Sequence, residues 1–136
     1  MIKNVVVIND FAYINGGAGK VAIMSALALA DQGINVFFFC GMGPVCDELK
    51  SSKIKIVSTD QGDITQGNRM KGLLQGINNK FDEKKLYQLL QQLDKKSTIV
   101  HCHAWSKILS SSIFKATKKA HVPVVITGHD YGTVCP

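Results

Sequence analysis

The sequence predicts an α/β domain, a three-layer sandwich in which a parallel sheet of about five strands lies between two layers of helices. Short apolar runs alternate with helical patterns along the chain. Most of these runs are continuous rather than alternating, which is typical of strands buried on both faces. Hydrophobic residues make up 46% and charged residues 19% of the 136 residues. This composition favours one ordered domain over residues 1–136.

The first half of the chain has the pattern of strand, helix, strand, strand. Residues 5–8 form an apolar run that ends at Asn9-Asp10. The stretch from Gly19 to Asp31 is apolar nearly all round, which predicts a helix packed on a sheet. Residues 36–40 predict a second buried strand, and residues 54–57 a third one. The third strand alternates more, so we place it nearer an edge.

The second half begins with a polar, glycine-punctuated segment that offers at best a short helix at residues 68–77. An amphipathic helix is predicted over residues 82–96, because leucines recur there at i, i+3, i+4 and i+7 between an acidic start and a lysine end. A fourth strand is predicted at residues 98–103, a helix at 106–120 and a fifth strand at 122–127.

Strands that alternate with helices form right-handed βαβ units in a parallel sheet. If the strands take the common order 3-2-1-4-5, the switch point lies between the first and fourth strands, and ligands bind there, outside the carboxyl ends of the strands. The loops gathered at that point are residues 10–19, residues 103–106 and the segment from residue 129 onward. These loops form the candidate site.

The formal charge of +6 comes almost wholly from lysines, since Arg69 is the only arginine. Proteins that read bases favour the bidentate guanidinium, so we predict no nucleic-acid partner. The lysines are interpreted as a solvated surface, with attraction to anionic lipid or to phosphorylated substrates as the functional alternative.

The cysteines Cys40, Cys46, Cys102 and Cys135 contain no C-x-x-C pair and predict reduced thiols in the cytoplasm. The first apolar run is too short for a signal peptide, and no window approaches the roughly 18 apolar residues of a membrane span. Any membrane contact is therefore expected to be peripheral, at the inner face of the membrane.

Residues 13–20, YINGGAGK, have the composition of a phosphate-binding loop before a helix. A P-loop is excluded because Ile14 stands at its first glycine position and Val21 at its Ser/Thr position. Residues 17–22 fit the dinucleotide pattern G-x-G-x-x-A, but they begin too far after the first strand, and the second strand does not end in the acid that holds the ribose.

Since neither motif fits, only general physical chemistry indicates a role for the glycine loop. Glycines allow a ligand to approach the backbone, and the free N–H groups of a helix's first turn favour an anion. The candidate residues for binding a phosphate or sugar are Gly16, Gly17, Ala18 and Gly19. The alternative is a bare turn that lets the helix pack closely on the sheet.

The histidines offer a second candidate chemistry. His101 and His103 share one face of the fourth strand, and with His129 and Asp130 they could bind zinc as in a metal-dependent hydrolase. His101 lies deeper in the strand and is expected to be a hydrogen-bonded core residue. His103 and His129 lie at strand ends, where a sugar hydroxyl or phosphate could be met. His121 is expected in an exposed loop.

Two blocks of the sequence together resemble a known family. The loop GGAGKVA at residues 16–22, the helix end ALADQG and the strand INVFFFC resemble the start of family 4 glycosyltransferases. Residues 99–136, IVHCHAWSKILSSSIFKATKKAHVPVVITGHDYGTVCP, resemble the block of that family formed by the fourth strand, a helix and the fifth strand. The resemblance covers both ends of the chain and not its polar middle.

The resemblance implies the GT-B architecture, in which two Rossmann-like domains enclose the active site. It implies transfer of a sugar from a nucleotide-sugar donor to a glycan or lipid-linked acceptor hydroxyl, with retention of configuration and without an essential metal or other cofactor. Gly16 and Gly17 would approach the donor diphosphate or the transferred sugar, and His129 would meet that sugar near the reacting centre. The residues implied on the acceptor side are His103, Trp105, Asp130 and Tyr131. Many members carry Glu where Gly19 stands, so a side-chain role at that position is lost here, and Lys20 is only a candidate on the acceptor side.

The family's C-terminal domain, with most of the nucleotide contacts, is missing from these 136 residues. We therefore expect the chain to be the N-terminal, acceptor-side half of a glycosyltransferase that is inactive alone. Two alternatives remain open: a self-standing Rossmann-like module that binds a nucleotide or phosphosugar, and the metal-dependent hydrolase.

Overall fold

The computed structural model describes residues 1–60 and 80–129 and confirms the predicted α/β architecture. Its sheet is parallel throughout, and the strand order is β3-β2-β1-β4-β5 as predicted. The strands are β1 (Asn4–Phe11), β2 (Asn35–Met42), β3 (Lys55–Ser58), β4 (Thr98–Cys102) and β5 (Val124–Ile126). The first two strands extend beyond their apolar centres, while β4 and β5 end earlier than the sequence suggested.

The helices alternate with the strands, as the βαβ prediction requires. They are α1 (Gly17–Asp31), α2 (Asp47–Lys50), α3 (Lys80–Gln91) and α4 (Ser112–Ala120), with a single 3₁₀ turn at Lys95–Ser97 before β4. The short helix predicted at residues 68–77 lies outside the described residues.

Alternate residues of β1 divide the core into two layers. Val6 and Ile8 face the cluster that includes the buried leucines of α3 and the apolar face of α4. Val5 and Val7 face the opposite cluster, which α1 covers. All four valine and isoleucine side chains are buried. The central strand therefore reads as a continuous apolar run because both of its faces are covered.

Two predicted helix boundaries are wrong. The helix expected from residue 106 begins only at Ser112, because the backbone N–H groups of residues 107–109 donate to the side chain of Asp10 instead of joining a helix. The helix expected to reach residue 96 ends at Gln91. Its two terminal lysines lie in the 3₁₀ turn, where the Asp94 side chain accepts a hydrogen bond from the N–H of Lys96.

Two further predictions concern the state of the cysteines and membrane-spanning segments. Cys40, Cys46 and Cys102 are free thiols, of which the first and third are buried. Across residues 1–60 and 80–129, none of the helices is both long enough and apolar enough to cross a bilayer.

Candidate functional site

A small cleft lies at the switch point, where the carboxyl end of β1 meets the loop that follows β4. It measures about 150 Å³. Its lining consists of Asn9, Asp10, Phe11, residues 15–19, Ala104, Ser106 and Lys107. Two of the three loops predicted to gather here, residues 10–19 and 103–106, therefore do meet. The segment from His129 onward does not contribute to the lining among the described residues.

The glycines of this loop owe their presence to different causes. Gly16 caps α1 with φ +153°, a conformation that only glycine adopts readily. A Cβ on Gly19 would lie 3.1 Å from Oδ1 of Asn15 and 3.2 Å from the carbonyl oxygen of Tyr13, so this glycine allows the loop to pack on the helix. A Cβ on Gly17 would meet nothing within 4 Å. The fold does not require a glycine there, which leaves room for a ligand at the start of the helix.

The start of α1 supplies hydrogen-bond donors to the cleft. The N-cap residue is Gly16, which has no side chain to accept from the first N–H groups of the helix. Such groups and the helix dipole favour an anionic or strongly accepting ligand. Lys107, a cationic residue, also lines the cleft. Lys20, by contrast, is exposed and is not among the residues that line the cleft.

Asp10 holds the wall of the cleft in place. Its Oδ1 accepts hydrogen bonds from the N–H groups of Ile108 at 3.0 Å and Leu109 at 2.9 Å, and its Oδ2 accepts one from Lys107 at 3.0 Å. The residue is 1% exposed. Burial raises the pKa of the Asp10 carboxyl, although the three hydrogen bonds and the Lys107 charge oppose that shift. The contacts fix the loop that carries Ser106 and Lys107.

Sequence reasoning assigned no role to Asp10. The available signal was an acid at the end of one apolar run and directly before a second, Phe11-Ala12, which are both buried. A carboxylate in that position must find partners inside the protein. The sequence could not show which partners, because they lie almost a hundred residues further along the chain.

Asn9 contributes an acceptor near the helix start. Its Nδ2 donates to the carbonyl oxygen of Phe11 at 2.8 Å, which fixes the orientation of the amide. Its Oδ1 is buried and has no hydrogen-bond partner among the described residues. Strand alternation places Asn9 on the face of β1 that α1 covers. A neutral acceptor is therefore buried beside the cleft.

The rings of three histidines near the switch point lie next to one another in a row. The ring centroids of His101 and His103 are 4.1 Å apart, which confirms that both side chains lie on one face of β4. Nε2 of His101 lies 2.7 Å from Oγ1 of Thr127, so the predicted hydrogen bond of this histidine is present. His101 is half-buried rather than fully buried. His121 is exposed as expected and caps the end of α4.

His103 links His101 to His129. Nδ1 of His103 lies 2.9 Å from Nε2 of His129, and the two rings are stacked. His103 is only 4% exposed, and its Nε2 is buried without a partner in the described part of the chain. Burial, aided by the neighbouring histidines, lowers the pKa of His103 to about 4. This ring is therefore neutral at pH 7 and adds no cation for binding phosphate.

The histidines do not converge as metal ligands do. Nε2 of His101 is engaged with Oγ1 of Thr127, and Nδ1 of His103 with Nε2 of His129. Residues 1–60 and 80–129 contain no group of three or more His, Cys, Asp or Glu side chains that could hold a metal ion. Asp130, the fourth candidate of the hydrolase alternative, lies outside the described residues, and the observations do not favour that alternative.

The predicted acceptor side is only partly described. Trp105 is half-buried and packs edge-to-face on Phe114, with ring centroids 5.1 Å apart, so it belongs to the core layer beneath the loop. Asp130 and Tyr131 lie outside the described residues. The acceptor-side roles of these three residues, and those of His103 and Lys20, stay predictions.

The parallel sheet, its strand order and a glycine-bearing helix start at the switch point define a Rossmann-like domain. The sequence profile of Glycosyltransferase Family 4 matches residues 15–133, from the glycine loop to beyond His129. The chain therefore belongs to glycosyltransferase family 4. No curated protein matches the chain closely enough to serve as a relative.

Proposed function

We propose that the chain is the N-terminal, acceptor-side domain of a retaining glycosyltransferase with the GT-B architecture. The complete enzyme would transfer a sugar from a nucleotide-sugar donor to a hydroxyl of a glycan or lipid-linked acceptor. Family membership supports the transferase class. The single observation that carries the proposal is the cleft in which the start of α1 faces Ser106 and Lys107 at the switch point.

The chemistry of the cleft suits a leaving diphosphate. Negative charge grows on the phosphate oxygen as its bond to the anomeric carbon breaks. Preorganised N–H donors and a nearby cation stabilise such charge in the transition state more than in the ground state. The N–H groups of residues 17–19 and the ammonium group of Lys107 are proposed for this role, because these residues line the cleft. The proposal requires no metal or other cofactor.

His129 is proposed to contact the transferred sugar near the reacting carbon. Its side chain is exposed, and its link to His103 ties it to the carboxyl end of β4. Placing the sugar beside the acceptor hydroxyl is itself a large part of catalysis, because it replaces an encounter of separate molecules. The acceptor would approach from the side that Trp105, Asp130 and Tyr131 are predicted to line.

The size of the cleft limits what one domain can do. Its volume of about 150 Å³ is below the roughly 300–1,000 Å³ of pockets for drug-sized ligands. A sugar or a phosphate group fits such a space, and a whole nucleotide-sugar does not. The nucleotide would bind a second domain, so we propose that this chain binds part of the donor without transferring sugar. The proposed setting is the cytoplasm, at the inner face of the membrane when the acceptor is lipid-linked.

The test is a titration of the ¹⁵N-labelled chain with a hexose 1-phosphate and with inorganic pyrophosphate. We expect amide shifts at residues 16–19, 106 and 107, and saturation at millimolar ligand. Gly17→Ala, whose methyl group enters space that is empty in the fold, should weaken binding at least about tenfold, a free-energy change of about 1.4 kcal/mol.

Met24→Ala is the matched control, because Met24 lies on the same helix with its side chain exposed. It should bind as the unchanged chain does. Shifts confined to the amino ends of the strands, where Lys53 and Lys55 line another hollow, would contradict the proposal, and so would equal affinity of the Gly17→Ala chain.

A further inference from the structure

We propose that His103 is a positioning residue that holds His129 in one tautomer, with the proton of His129 on Nδ1. His129 would then present a hydrogen-bond donor, and not a proton acceptor, to its ligand. The identity of that ligand as the transferred sugar rests on the proposed function. The tautomer itself follows from three observations: the 2.9 Å contact between the rings, the burial of His103 and the unpartnered Nε2 of His103.

A hydrogen bond between two imidazole nitrogens requires one of them to carry a proton and the other to be bare. A neutral histidine has one N–H and one bare nitrogen. The contact between Nδ1 of His103 and Nε2 of His129 therefore allows two arrangements. Either His103 donates and His129 accepts, or the reverse.

The environment of His103 decides between these arrangements. If His129 donated, the only proton of His103 would lie on Nε2, as a buried N–H without an acceptor among the described residues. Orphaned buried N–H groups are rare in native proteins and cost the full desolvation of a donor. If His103 donates from Nδ1, its Nε2 is a bare nitrogen and no proton is left unpaired. We therefore infer that His103 donates.

The proton of His129 is then fixed by elimination. Its Nε2 accepts from His103, so its own proton must lie on Nδ1. The side chain of His129 is exposed, which makes this N–H available to an incoming ligand. The atom that it binds must be an acceptor, such as a sugar hydroxyl oxygen or a phosphate oxygen. In this tautomer His129 cannot remove a proton through Nδ1.

A second contact joins the same two segments of the chain. His101 contacts Thr127 as His103 contacts His129. Each contact joins the end of β4 to the segment that follows β5, and the two pairs have the same separation along the chain. The β4–β5 pairing aligns Cys102 with Ile126, so both contacts are diagonal across the same two strands. The rings of His101 and His103, which are tilted by 42° with their centroids 4.1 Å apart, connect the two contacts.

The experiment is a long-range ¹H–¹⁵N correlation spectrum of the histidine rings in the ligand-free chain. It is recorded at about pH 8, where histidines with ordinary pKa values are neutral. We expect protonated Nδ1 and bare Nε2 for both His103 and His129. A protonated Nε2 on His129 would overturn the inference.

Two variants test whether His103 causes the tautomer. His103→Asn keeps an amide N–H close to the position of Nδ1 and should retain the signature of His129. His103→Leu removes the donor, and His129 should then lose its fixed Nδ1–H signature. Retention of that signature in a folded His103→Leu chain would exclude a positioning role. If the leucine variant does not fold, the wild-type and His103→Asn spectra test the role of His103. Loss of the His129 signature in a folded His103→Asn chain would contradict the inference.

The experiment tests the tautomer and the proposed function independently of each other. The tautomer is measured without ligand, so it stands or falls independently of sugar binding. Addition of a hexose 1-phosphate to the same sample should shift the ring resonances of His129. A fixed tautomer without such shifts would contradict the sugar contact and leave the positioning by His103 intact.

Discussion

Nδ1 of His103 lies 2.9 Å from Nε2 of His129, so a buried histidine at the end of β4 holds an exposed one beyond β5. The contact joins two segments that approach each other only because β4 and β5 are neighbours in the sheet. The contact ties His129, the proposed sugar-binding residue, to a buried residue. Because burial lowers the pKa of His103, the stability of the fold should respond to acid at this residue.

We predict that the contribution of His103 to stability falls as the pH falls from about 6.5 to about 4. Burial lowers the pKa of His103 from 6.5 to about 4 in the folded chain. The unfolded chain therefore binds this proton more readily, and acid favours unfolding within that window. The full effect is about 3 kcal/mol at about 1.4 kcal/mol per pKa unit. Urea unfolding at several pH values measures it.

His103→Asn should remove this part of the pH dependence, whatever its effect at neutral pH. His121→Asn is the control, because His121 is exposed and lies in the left-handed conformation that asparagine tolerates. The control should keep the slope of the unchanged chain. An equal slope in the His103→Asn chain would show that the acid response comes from elsewhere.

The contribution of Asp82 to stability should change with pH in the direction opposite to that of His103. Burial raises the pKa of this carboxyl to about 6 in the folded chain, although a hydrogen bond with Thr59 opposes the shift. The folded chain therefore binds this proton more readily, and the contribution of Asp82 to stability rises as the pH falls from about 6 to about 4. The change is about 3 kcal/mol at about 1.4 kcal/mol per pKa unit. Asp82→Asn should remove it, while Glu83→Gln on the neighbouring residue should not.

Because the two groups oppose each other over nearly the same range, the unchanged chain should show a flatter profile than either variant. The Asp82→Asn chain should lose stability in acid more steeply than the unchanged chain. A parallel profile in that variant would contradict the role of Asp82.

Asp10→Asn should loosen the loop that forms one wall of the cleft. The amide keeps one acceptor oxygen, but its Nδ2 faces an N–H donor where the carboxylate accepted. Hydrogen bonds to charged groups contribute about 1.5–3 kcal/mol each, so we expect a loss of about 2–4 kcal/mol in the free energy of unfolding. Urea unfolding measures the loss, and hydrogen exchange at residues 107–109 locates it.

Asp31→Asn is the control for this substitution, because Asp31 is an exposed carboxylate at the end of α1. It should leave the amide protection of residues 107–109 unchanged. Unaltered protection in the Asp10→Asn chain would mean that the wall does not depend on this carboxylate.

The strand order and the position of the cleft could be predicted because they depend on local patterns. Continuous apolar runs identify buried strands, and alternating strands and helices restrict the topology to few arrangements. The start of α4 could not be predicted, since a helical pattern before Ser112 is overridden by Asp10 from β1. Trp105 is placed on the acceptor side by the family resemblance alone, and no pattern in the sequence indicates its edge-to-face packing on Phe114. Long-range partners of this kind leave no periodic signal.

The contact between Asp10 and its loop also explains why residue 41 is a glycine, and it leads to a last prediction. A Cβ on Gly41 would lie 2.2 Å from Cγ2 of Ile108 and 3.1 Å from the carbonyl oxygen of Asp10. Ile108 cannot retreat easily, because its own N–H is bound to Asp10. Gly41→Ala should therefore destabilise the chain by about 1–3 kcal/mol, the usual cost of overpacking.

Ile108→Ala removes Cγ2, the atom nearest to the new methyl group, while Cβ of residue 108, at 2.6 Å, remains. The substitution should itself destabilise the chain by about 2–5 kcal/mol, because the side chain is fully buried. In the double variant the new methyl group on residue 41 occupies part of the space that Ile108 vacates. The combined loss should then be smaller than the sum of the single losses by about 1 kcal/mol or more, as for residues in direct contact. Strictly additive losses in urea unfolding would show that the strain of Gly41→Ala does not arise at Cγ2 of Ile108.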